Sequence, residues 1–156
     1  NIDPYNKYRD EDIWNALEVC NLKDYVSSLP DKLEHQLEAE GSNLSLGQKK
    51  LFCIAGAILM KPKIMVFDES TSAVDQTSDL LIQKVIETEF KESTVISIAH
   101  RLNSIAGYDK VMVLDHGELK EMDTPRVLLQ NQDSLFYKLA EATGPDNFNI
   151  ITHLSK

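Results

Sequence analysis

Phe67-Asp68-Glu69 places two carboxylates directly after the apolar run Ile64-Met65-Val66-Phe67. Ligands of open α/β sheets bind beyond the carboxyl ends of their strands, so a metal site belongs at such a position. Asp68 could hold Mg²⁺, a hard ion that takes carboxylate oxygens and keeps several waters, while Glu69 could accept a proton from an attacking water. The same pair also fits a solvated turn or the start of a helix. His100 follows a second apolar run, Thr94 to Ala99, and should emerge on the same sheet edge. An imidazole there can donate to a phosphate oxygen and sense a γ-phosphate. The alternative is a half-buried His capping Arg101-Leu102. A third candidate is Leu44-Ser45-Leu46-Gly47-Gln48. A Gly in the first turn of a helix lets a ligand approach the backbone, and the free N–H groups and positive dipole end of that turn attract anions. An ordinary capping box with an incidental Gly47 fits the same five residues.

The elements that must position these groups follow from periodicity. Ser45 and Gln48 stand in the S-x-x-Q arrangement that closes a capping box. Behind it Leu51, Ile54, Ala55, Ile58 and Leu59 give one buried helical face, which ends at Lys61-Pro62. Gly56 inside that helix costs about 1 kcal/mol relative to Ala. Ile64 to Phe67, Thr94 to Ala99 and Val111 to Leu114 read as strands buried on both faces of a parallel sheet. A helix from about Thr77 to Phe90, with Leu81, Ile82, Val85 and Ile86 inward, separates the first two. Strand, helix, strand, short helix, strand is an α/β pattern.

Upstream, Asp10 is expected to cap a helix with Ile13, Ala16, Leu17 and Cys20 buried. Lys23 to Leu29 is expected to be helical up to Pro30, and residues 31–43 a loop. Downstream, Asp115-His116-Gly117-Glu118 predicts a hairpin into Leu119 to Met122, with helices near Arg126 to Gln130 and Leu135 to Ala142 and a loose tail after Pro145.

The 156 residues carry a formal charge of −9 and are 42% apolar, which allows one domain with a core and gives no basic stripe for a nucleic-acid backbone. No nucleic-acid partner is expected. Cys20 and Cys53 lie outside any C-x-x-C spacing and read as small core residues of a reducing compartment. The longest nearly unbroken apolar run, Ile54 to Met60, is far below the roughly 20 residues needed to span a bilayer. The start at Asn1-Ile2-Asp3-Pro4 has no signal-peptide pattern and suggests a cut inside a longer protein.

Taken in order, Leu44 to Gln48, Ile64 to Glu69, Ser72-Ala73-Val74-Asp75 and His100 resemble the signature motif, Walker B strand, D-loop and switch histidine of ABC transporter nucleotide-binding domains. Asn1-Ile2-Asp3-Pro4 and Leu114-Asp115-His116-Gly117 resemble flanking segments, so the likeness covers nearly the whole chain. It is strongest to the second such domain of the multidrug-resistance-associated proteins, the C subfamily. Within that subfamily Val127 to Asn131 and Ser134 to Lys138 carry a finer likeness to one of its members.

The resemblance implies an α/β fold, a partial P-loop NTPase (RecA-like) core with the end of the helical subdomain, lacking the phosphate-loop portion. Residues 1–45 would close the helical subdomain, 46–145 form the partial core, and 146–156 a flexible tail. ATP and Mg²⁺ are the implied cofactors, the other nucleotide-binding domain and the transmembrane domains of the parent are the implied partners, and the cytoplasmic face of a membrane is the implied location. Residue by residue, Asp68 would coordinate Mg²⁺, Glu69 would be the general base, and His100 would contact the γ-phosphate in the same site. Ser45, Gly47 and Gln48 would cover the nucleotide of the partner domain, with Asp75 at the interface.

Leu46 departs from the Gly of the general signature, Gly56 from the usual Arg, and Ser70 from the usual Ala or Pro. No G-x-x-x-x-G-K-[ST] phosphate loop occurs in the 156 residues. Two readings follow: part of an ATPase domain that drives export, or a catalytically silent chain that pairs with or interferes with intact transporters.

Overall fold

The computed structural model describes residues 2–38, 41–68 and 75–155. Its elements run α1 (Asp10–Val19), α2 (Lys23–Ser28), a 3₁₀ turn (Lys32–Glu34), α3 (Leu46–Met60), β1 (Ile64–Asp68), α4 (Gln76–Glu89), β2 (Thr94–Ile98), α5 (Leu102–Ile105), β3 (Val111–Asp115), β4 (Glu118–Asp123), α6 (Pro125–Gln130), α7 (Leu135–Glu141) and α8 (Pro145–Leu154). Helices alternate with short strands, as expected of an α/β chain. Two compact units divide it. One holds the described residues of 2–67 with 75–96, the other residue 68 with 97–155. This division differs from boundaries at 45 and 145.

In the first unit α1 begins one residue earlier than its acidic run suggests. Arg9 is the N-cap and makes no side-chain cap bond, while Asp10, Glu11 and Asp12 occupy the first turn, where the positive end of the helix favours them. Asp10 is therefore a first-turn residue and not the cap. Ala16, Leu17 and Cys20 are buried and join Leu51, Ile54 and Ala55 of α3 and Ile82, Val85, Ile86 and Phe90 in one core. Burial pushes the Cys20 thiol up to about 12, helped by the charge of Glu89, so it stays protonated. Cys53 is exposed, contrary to its expected core position, because it lies off the face that Leu51, Ile54 and Ala55 present. α3 ends at Lys61 in the left-handed region, φ 46°, before Pro62.

β1 and β2 are neighbours in a two-stranded sheet, joined through α4. The Thr94 N–H donates to the Lys63 carbonyl at 2.8 Å, which sets the two strand starts side by side. Met65, Phe67 and Val95 pack onto the core. The opposite face is bare: Ile64 and Val66 are each 65% exposed and Ile96 is 41% exposed. The apolar runs are thus buried on one face within this chain rather than on two.

Among the described residues of the second unit, β3 belongs to a second two-stranded sheet. It pairs antiparallel with β4, with Val111 opposite Asp123 and Asp115 opposite Glu118. His116 and Gly117 take φ of 48° and 79°, the left-handed pair that a tight two-residue hairpin requires. The pairing shifts by one residue after Val113, so Lys120 is extra on β4 and the strand bulges. Val111 and Val113 pack on Leu128 and Phe136. Of residues 146–156, expected as a loose tail, 146–154 instead supply most of α8, whose Ile151 is fully buried with Ala106 and Ala140. No described helix is long and apolar enough to cross a membrane.

Candidate functional site

The first turn of α3 shows the anticipated box in full. The Gln48 N–H donates to Ser45 Oγ at 3.1 Å, and the Ser45 N–H donates to Gln48 Oε1 at 2.9 Å. Each bond uses an acceptor and spares a donor. The Ser45 hydroxyl hydrogen and the Gln48 amide NH₂ stay uncommitted, on an exposed and a half-buried residue respectively. Among the described residues the N–H groups of Leu46 and Gly47 also take no acceptor. No acid stands in this turn, and Lys49 and Lys50 follow it. Four donors, the positive end of a 15-residue helix and two lysines make an anion-favouring surface. Lys50 Nζ also lies 5.6 Å from the centre of the Phe67 ring, which ties this turn to β1.

Gly47 is buried, and its missing side chain is used within the chain. A Cβ built there would stand 2.6 Å from Ser78 Oγ, 2.7 Å from Ser78 Cβ and 3.4 Å from Asp75 Oδ2. Asp75 caps α4, accepting the Ser78 N–H at 2.9 Å. The backbone N–H of Ser78, and then its side chain, hold the Asp75 carboxyl below the usual range, so it is charged at neutral pH. Four of the anticipated residues, Ser45, Gly47, Gln48 and Asp75, are therefore gathered at the facing first turns of α3 and α4. Ser78 was missed by sequence reasoning. Its signal was the Asp-x-x-Ser spacing of an N-cap, hidden because the helix was expected to begin at Thr77.

Asp68 and His100 belong to the second unit, at the end of β1 and two residues beyond the end of β2. Both are exposed. Glu69 and Ser70, and Ser72 to Val74 of the expected D-loop, lie outside the described residues. No group of three or more His, Cys, Asp or Glu among the described residues could cage a metal. One exposed carboxylate at a strand end suits Mg²⁺, which is held by one or two carboxylates plus waters and phosphate oxygens. A cleft of the first unit, about 640 Å³, is lined by residues such as Asp3, Tyr8, His35 and Phe52 and includes none of these site residues. The described candidate residues lie at or near element termini and not in that cleft.

A family model described as "ABC transporter" matches residues 4–72. Over all 156 residues the chain is 49% identical to ATP-binding cassette sub-family C member 4 of Homo sapiens, of which it covers 12%. It is 50% identical over 149 residues, 96% of the chain, to human ATP-binding cassette sub-family C member 2, and covers 10% of that protein. The Metal resistance protein YCF1 of Saccharomyces cerevisiae is 49% identical over 150 residues, again 96% of the chain and 10% of the relative. The chain thus spans about an eighth or less of the length of the curated relatives it matches.

Proposed function

We propose that the chain belongs to the ABC transporter family and supplies the catalytic edge and signature turn of the second nucleotide-binding domain of a multidrug-resistance-associated exporter. The domain would have a P-loop NTPase core, work at the cytoplasmic face of a membrane against a second nucleotide-binding domain, and couple ATP hydrolysis to export of organic anions or drugs through transmembrane domains. The observation that carries this reading is the Ser45–Gln48 capping box, which commits both side-chain acceptors and leaves donors for a phosphate at a positive helix end.

In this reading Asp68 presents a carboxylate to the magnesium that accompanies ATP, and Glu69 takes the proton of the attacking water. Bound Mg²⁺ would neutralise charge on the β- and γ-phosphates. His100 donates to a γ-phosphate oxygen of the same site. Ser45, Gln48 and the backbone at Leu46 and Gly47 donate to the nucleotide held by the other domain, and Asp75 lies at that interface. The 156 residues contain no phosphate-loop Lys or Gly-rich cradle, so the chain by itself neither binds ATP tightly nor turns it over.

Asp68→Asn in the full-length protein tests the metal assignment. The magnesium titration of ATP binding should move to at least about tenfold higher Mg²⁺, since a charged ligand is replaced by a neutral one. Titrations that overlay with those of the parent would remove Asp68 from the site.

A further inference from the structure

The contact between Gly47 and Ser78 reaches further than the packing of two helices. A Cβ on residue 47 would overlap both Oγ and Cβ of Ser78, at 2.6 and 2.7 Å, distances that real Cβ contacts essentially never show. Ser78 is the third residue of α4 and its N–H anchors the Asp75 carboxylate at 2.9 Å. Gly47 lies one residue before Gln48, whose N–H and side chain close the box with Ser45. The first turns of α3 and α4 therefore share one close-packed contact. On one side of it stand the donors of the signature turn, on the other the charged cap at Asp75.

We infer that Ser78 is a positioning residue: seated in the hollow left by Gly47, it locks the Ser45–Gln48 turn to the Asp75 cap, so that the two move as one body. The consequence for nucleotide recognition rests on the proposed function, while the contact does not. In this arrangement the glycine at 47 is demanded by Ser78 of the same chain, and a displacement of Asp75 by a partner domain shifts the phosphate donors with it. Size complementarity between positions 47 and 78 is what transmits the movement. A Cβ at 78 is enough to collide with one at 47, so loss of the hydroxyl alone does not relieve the overlap.

The test is a reciprocal exchange in the full-length protein, read as thermal stability and as ATP-dependent pairing of the two nucleotide-binding domains in a hydrolysis-deficient background. Gly47→Ala should lower the unfolding midpoint and weaken pairing at least tenfold. Adding Ser78→Gly should return both to within about threefold, or a few degrees, of Ser78→Gly alone, while adding Ser78→Ala should not. If Gly47→Ala fails to accumulate as folded protein, recovery of folded protein in the Gly47→Ala/Ser78→Gly pair becomes the readout, and a double variant that also fails overturns the inference. A harmless Gly47→Ala overturns it as well. Restored stability without restored pairing overturns the positioning role, because Gly47 would then be needed by a ligand or partner. If the parent shows no ATP-dependent pairing at all, it is the functional reading that falls, and the stability arm still decides the contact.

Discussion

Glu121 on β4 offers a perturbation whose size follows from counted bonds. Its Oε1 accepts the Leu135 N–H at 2.7 Å, and its Oε2 accepts the Phe136 N–H at 3.1 Å and the Ser134 hydroxyl at 2.9 Å. The carboxylate thus clamps the start of α7 onto the β3–β4 hairpin. Burial pushes the Glu121 pKa up, but the Leu135 and Phe136 N–H groups, the Ser134 hydroxyl and the charge of Lys138 outweigh it and hold the group below its ordinary 4.5. Glu121→Gln turns one acceptor into a donor. Whichever way the amide is turned, one backbone N–H of α7 then faces an NH₂. Hydrogen bonds to charged groups contribute about 1.5–3 kcal/mol each. Partial exposure and the sharing of one carboxylate reduce the net loss to about 1–2 kcal/mol. Amide exchange at Leu135 and Phe136 in the full-length protein should accordingly quicken by about 5- to 30-fold at pH 7. Because the folded pKa is lowered, the contribution of Glu121 is fully present above the ordinary value of 4.5 and fades as pH falls through the folded one. The gap between parent and variant, corrected for intrinsic exchange, should therefore close on acidification. An unchanged rate at pH 7, or a gap that widens in acid, would refute the reasoning.

Gly56→Ala should stabilise α3 by up to about 1 kcal/mol, since among the described residues the added Cβ meets only the Ile2 carbonyl, at an ordinary 3.6 Å, and the glycine's extra backbone freedom is removed; chemical denaturation of the full-length nucleotide-binding domain measures it, and a loss would mean that the neighbourhood of Ile2 is too tight for a methyl group. The purified 156-residue chain should show no saturable ATP binding at micromolar nucleotide by calorimetry and should associate through the bare face at Ile64, Val66 and Ile96. Tight magnesium-dependent binding by that chain would contradict the expectation, since it would require a phosphate site other than a phosphate loop.

What was legible was local. The Ser45–Gln48 box, the α3 stripe, the stop at Lys61-Pro62 and the His116-Gly117 hairpin are each written within a few residues, where capping and turn chemistry act. The start of α1 shifted by a residue because an acid in a first turn and an acid at the cap look alike in sequence. Burial of strands on both faces was misjudged for Ile64 and Val66, since an apolar run records what a strand can bury and not which neighbours this chain supplies. The antiparallel pairing of β3 with β4 is a choice of partner, which periodicity does not encode. The seat of Ser78 against Gly47 joins positions 31 apart in the sequence through helix packing, and no spacing rule reaches that far. α8 runs where a loose tail after Pro145 is expected from the sequence, because Pro is well suited to a first helical position and opens the helix there.

The central claim is that this chain carries the water-activating carboxylate of an ATPase, and turnover of the full-length protein with Glu69→Gln tests it most directly. Removing a positioned general base should slow hydrolysis by roughly 10²- to 10⁴-fold while ATP still binds and the two domains still pair. Near-normal turnover by Glu69→Gln, measured under saturating Mg-ATP, would contradict the assignment and with it the reading of the Asp68–Glu69 edge as a catalytic one.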